Sequence, residues 1–74
     1  MKYYFIAYKD KYGKDFRGLP WIMPESGFDN IHIAKRVKED LTKGGFIDVK
    51  VFESKYKCLS PNTGWDYVED NEII

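Results

Sequence analysis

The run Tyr3–Tyr8 constrains this chain more than any other segment: Tyr-Tyr-Phe-Ile-Ala-Tyr is six consecutive aromatic, β-branched or small residues, ended by Lys9 and Asp10. Such a run is too short for a buried helix and reads as a strand. It has no polar alternation, so neither face can be left in water, and the fold must cover both. The chain has 74 residues for this, room for one small domain, residues 1–74. A domain of that size buries only about 60% of the surface its unfolded chain exposes. Thirteen aromatic rings, 18% of the residues, supply much of the apolar area.

Asp10-Lys11-Tyr12-Gly13 offers turn chemistry, and Asp15–Leu19 resumes an extended pattern, which predicts an antiparallel hairpin with the first strand. Residues 20–24, Pro-Trp-Ile-Met-Pro, read as an extended, non-helical connection, because each proline restricts the residue before it. Beyond it Ile31, Ala34, Val37 and Leu41 recur at helical spacing, with Ser26 or Asp29 as the cap and Gly44-Gly45 as the stop. The opposite helix face carries Lys35, Arg36, Lys38, Glu39, Asp40 and Lys43, with Arg36–Asp40 and Glu39–Lys43 four residues apart.

From Phe46 to Glu53 the chain alternates, with Ile47, Val49 and Val51 on one face, predicted to receive Ala34, Val37 and Leu41. Tyr56–Leu59 and Trp65–Val68 flank the turn-forming Ser60-Pro61-Asn62-Thr63-Gly64 and predict a second hairpin. The expected fold class is therefore α+β: a small antiparallel sheet with one helix packed on a face, order ββαβ followed by a C-terminal hairpin. Residues 69–74 are expected to form a mobile tail.

Charge narrows the function classes. Twelve basic and twelve acidic groups cancel, so no global field draws the chain to nucleic acid or an anionic membrane. All twelve bases and eight acids lie in residues 1–57, whereas Asp66, Glu69, Asp70 and Glu72 are without a base nearby in sequence. One cysteine, Cys58, allows no internal disulfide, which points to the cytoplasm, and no apolar segment has the length of a membrane span. The opening residues lack the pattern of a signal peptide.

Catalytic constellations are not expected. His32 and Cys58 are the sole histidine and the sole cysteine, 26 residues apart and without paired ligands, so neither a metal nor another cofactor is predicted. No glycine pattern makes a phosphate loop, and the adjacent carboxylates Glu39-Asp40 and Glu69-Asp70 are ordinary surface pairs.

Two binding roles remain. Trp21, with Ile22 and Met23 beside it between two prolines, forms a stiff apolar segment suited to anchoring a protein partner or a second copy of the chain. The same tryptophan could instead fold back over the sheet. The alternative is a nucleic-acid module, using Lys9, Lys11, Lys14 and Arg17 of the first hairpin with Arg36 and Lys38 of the helix, beside aromatic rings that can stack on bases.

The opening Lys2–Lys9 (KYYFIAYK), a loop, a charged helix and then Gly45-Phe46, Asp48 and Val49 together resemble small uncharacterised proteins carried by bacterial phages and mobile elements. The resemblance covers about residues 2–52. It implies an accessory factor that binds a host or phage protein. The Pro20–Pro24 segment and the acidic C-terminal stretch depart from that pattern.

Overall fold

The computed structural model describes all 74 residues. Strand β1 (Tyr3–Lys9) lies at the centre of a three-stranded antiparallel sheet, between β2 (Trp21–Phe28) and β3 (Ile47–Ser54). Helix α1 (Ile31–Lys43) joins β2 to β3, and a short α2 (Trp65–Asp70) follows. This is the expected α+β class with order ββαβ. No helix is long and apolar enough to cross a membrane.

The central place of β1 follows from its lack of polar residues. Phe5 and Ala7 join Phe52 and Val68 in one buried cluster, while Ile6 joins Ala34 and Val51 in another. Alternate residues of β1 thus enter different cores, as strand geometry requires. The helix α1 covers the Ile6 side through Ala34, Val37 and Leu41. On the other side the Phe5 and Phe52 rings stack at 5.6 Å, beneath Trp65, Tyr67 and Val68 of α2.

Both ends of α1 are chemically closed. Asn30, with extended φ and ψ of −132° and 119°, accepts a hydrogen bond from the His32 amide at 2.8 Å. It caps the helix in place of Ser26 or Asp29, because Ser26 is drawn into β2. At the other end Gly45 adopts φ 94°, its amide donates to Thr42 O and the Phe46 amide donates to Leu41 O. That pair of bonds satisfies helix carbonyls and needs the left-handed residue that glycine supplies. The pairs Arg36–Asp40 and Glu39–Lys43 form no ion pair; the three that exist, Lys2–Glu53, Lys9–Asp48 and Lys50–Glu72, join distant segments.

Three sequence expectations need correction. The second strand is not Asp15–Leu19. There, Phe16 and Leu19 exchange backbone hydrogen bonds across Arg17 (φ 56°) and Gly18 (φ 81°), a two-residue turn with both central residues left-handed. The strand is instead the Pro-Trp-Ile-Met-Pro region and its continuation, Trp21 pairing with Tyr8, Ile22 with Ala7 and Met23 with Ile6. Pro24 is accommodated because β2 is an outer strand and its missing donor interrupts no central ladder.

The second correction concerns β3. Val49 and Val51 reach the helix side as expected, but Ile47 is 40% exposed. Ala7 pairs with Lys50 and Lys9 with Ile47, so β3 holds one extra residue against β1, with Asp48 left-handed at φ 53°. A bulge of this kind breaks the two-residue period and puts Ile47 out of phase with Val49 and Val51.

The third is the C-terminal hairpin. Tyr56–Leu59 contributes only the isolated Ser26–Cys58 bridge, and Trp65–Asp70 is helical. Trp65 and Val68 are three apart, so one helical turn aims both at the Phe5–Phe52 core and leaves Asp66, Glu69 and Asp70 exposed. Tyr67 OH meets Ser54 Oγ at 2.9 Å, giving this buried hydroxyl a partner. Beyond α2 the chain runs along β3: Val51 N donates to Ile74 O, Ile73 N to Val51 O and Glu53 N to Asn71 O. Ile73 packs on the Ile6–Val51 cluster, and Glu72 pairs with Lys50 at 3.6 Å.

Candidate functional site

An uncovered stretch of sheet lies along the outer edge of β2. Pro20 is buried at the exit of the Phe16–Leu19 turn and delivers the chain into β2 at Trp21. The turn folds Phe16 back beside Trp21, ring centroids 5.3 Å apart, and leaves the two residues 45% and 40% exposed. Arg17 lies over the Phe16 ring at 5.3 Å, an attractive cation–π placement.

Further along, β2 is covered. The Gly27 amide donates to Lys57 O at 2.9 Å, and Ser26 bridges Cys58. From Cys58 onward the return segment diverges from the strand. Between them a cleft of about 490 Å³ opens, lined by Phe16, Trp21, Ile22, Pro24, Leu59 and Pro61, with Glu25 as its one charged residue. Cys58, an exposed free thiol, also lines it and approaches Ser26 Oγ at 3.6 Å. No hydrogen bond leads from residues 21–25 to anything outside the sheet.

The structure separates the three residues singled out as an anchor. Trp21 stands at the cleft mouth and is exposed. Ile22 is half-buried against the Phe5–Phe52 cluster, and Met23 packs on the opposite side with Ile6 and Ala34. Strand alternation splits them. What joins Trp21 is Phe16 from the preceding turn and Leu59 and Pro61 from the far end of the chain. The Asp15…Gly18 turn chemistry was the signal that could have placed Phe16; nothing local to Leu59 signals its approach to a strand almost forty residues earlier.

The six basic residues of the nucleic-acid reading are dispersed. Lys9 is bound to Asp48 at 3.0 Å and lies 5.4 Å over the Trp65 ring. Lys11 lies 6.0 Å over Phe46, and Arg17 sits on Phe16 at the cleft. Lys14 belongs to a turn organised by Asp10, whose carboxylate accepts from the Tyr12 and Lys14 amides, both at 2.8 Å. Arg36 and Lys38 are on α1, which covers the Ile6 side of the sheet, the side away from Trp65. Near Lys9 the charges answer one another, with Asp15 accepting from Trp65 Nε1 at 3.1 Å and Glu72 from Lys50.

His32 is exposed on the first turn of α1, and no hydrogen bond joins it to Cys58 or to any carboxylate. No group of three or more His, Cys, Asp or Glu side chains is arranged to hold a metal ion. Compared with protein-family models, with curated proteins and with solved structures, the chain matches none.

Proposed function

We propose that this protein is a small, non-enzymatic accessory factor that works by binding another protein, and that the cleft beside Trp21 is where it does so. The observation that carries the reading is the exposed Phe16–Trp21 pair at the mouth of an apolar cleft on an outer strand. Tryptophan in such a place offers a large contact area with few torsions to freeze. Pro20, Pro24 and Pro61 stiffen the surround, which lowers the ordering cost of association. The single cysteine supports action in the cytoplasm. The resemblance to phage and mobile-element proteins supports an accessory role. The dispersal of Lys9, Lys11, Lys14, Arg17, Arg36 and Lys38, several of them already partnered, weighs against nucleic acid as the ligand.

The test is selection of displayed linear peptides and protein fragments on the wild-type protein, with counter-selection on Trp21→Ala whose fold is verified by circular dichroism. Sequences retained only by the wild type are expected, with the variant binding them at least thirtyfold more weakly, the weight of an interface anchor, about 2 kcal/mol. Equal retention by both proteins would refute the reading.

A further inference from the structure

Resting on that reading, the open edge of β2 identifies the form its ligand takes. We infer that the cleft binds a partner's peptide in extended conformation, added as a short strand to Trp21–Met23, with an apolar side chain in the cleft and a basic one beside Glu25.

The two sheet edges are treated differently. The outer side of β3 carries charged Asp48, Lys50 and Glu53, a left-handed bulge at Asp48, and the 71–74 segment hydrogen-bonded along Val51 and Glu53. Each of these blocks pairing with a foreign strand. On β2, Ser26 and Gly27 are likewise occupied by Lys57 and Cys58. The stretch Trp21–Met23 has no such cover: its residues are apolar, Trp21 and Met23 turn their backbone groups to Tyr8 and Ile6 of β1, and the amide and carbonyl of Ile22, which face outward, have no partner within the protein. Such groups gain most from a ligand that supplies main-chain hydrogen bonds, the mode of strand addition.

Length selects a peptide over a second copy of the whole sheet. The open run is closed at one end by the turn into buried Pro20 and at the other by Pro24, which has no amide to donate. Two or three ladder bonds fit there; a continuous sheet through two molecules does not. The cleft begins beside that run, so a strand laid on β2 directs alternate side chains toward Trp21 and Leu59. Those walls are mostly apolar and Glu25 is the one charged residue lining them, while Arg17, stacked on Phe16, stands at the mouth. The favoured sequence is therefore an apolar residue with lysine or arginine close by.

The experiment uses the most strongly retained peptide from the selection above, resynthesised with single N-methyl groups at each position in turn. Methylation at the one or two residues that lie against Ile22 is expected to weaken binding about tenfold, with little effect elsewhere, because only those amides reach the open run of β2. In the intact protein the outward amide of Ile22 is expected to exchange at least tenfold more slowly when the peptide is bound. Glu25→Lys should weaken a peptide containing a basic residue about fivefold, less at high salt. A peptide that needs Trp21 yet tolerates N-methylation throughout and leaves the Ile22 amide unprotected overturns strand addition and leaves protein binding standing. If no peptide is retained through Trp21, the functional reading fails and this inference fails with it.

Discussion

Replacing Gly27 with alanine is expected to destabilise the fold, against the usual gain from removing a flexible glycine. Its φ is not left-handed, so alanine can adopt the backbone, and the unfolded chain would lose entropy in favour of the native state by about 0.4–1 kcal/mol. Space decides otherwise. A Cβ at position 27 would stand 2.7 Å from Cε2 and Cζ of Phe5 and 2.8 Å from Cβ of Tyr3. Phe5 is fully buried and stacked on the equally buried Phe52, so its ring has little room to withdraw. Forcing a methyl into such a core costs about 1–3 kcal/mol. The net is a loss of about 0–2.5 kcal/mol, centred near 1.3 kcal/mol, which corresponds at the centre to roughly 5–10 °C in Tm for a domain of this size. Thermal and urea melts followed by circular dichroism measure it. Phe5→Leu removes the two ring atoms in closest approach but not Tyr3 Cβ. In that background the cost of Gly27→Ala should fall by about 1 kcal/mol, the coupling expected of side chains in direct contact. A Gly27→Ala protein that melts at or above the wild-type temperature would refute the account of how β2 crosses Phe5.

Val68→Ala removes two methyl groups from a fully buried position of α2 and is expected to cost about 2 kcal/mol in urea unfolding; a change below about 0.5 kcal/mol would mean that α2 does not seal the Phe5–Phe52 core. Along the tail, the amides of Val51 and Glu53 donate to Ile74 and Asn71, so both should be protected from hydrogen exchange and lose that protection when residues 71–74 are deleted. Rapid exchange at both sites in the full chain would show that the tail does not stay on β3.

Local pattern was sufficient where the determining interactions are local. The Tyr3–Tyr8 run alone implied a strand covered on both faces, because an unbroken apolar strand has no side it can leave wet. The stripe Ala34, Val37 and Leu41 with Gly44-Gly45 beyond it implied α1 and its stop, since capping and amphipathic spacing act within a few residues. Tertiary structure decided the rest. Pro20–Pro24 reads as a breaker until the strand it belongs to is known to be an outer one, where a missing donor costs little. Trp65–Val68 is too short to distinguish periods of two and 3.6, and only the core beneath it selects the helix. Ile47 left its expected face because a single extra residue at Asp48 shifts the pairing, a matter of register with β1 that β3 does not encode alone. The cleft was the least legible feature, since Phe16 and Trp21 are joined by a turn while Leu59 and Pro61 arrive from the other end of the chain. A surface assembled by contacts across some forty residues leaves no periodicity to read, and its open strand edge exists only once β1 has been placed at the centre.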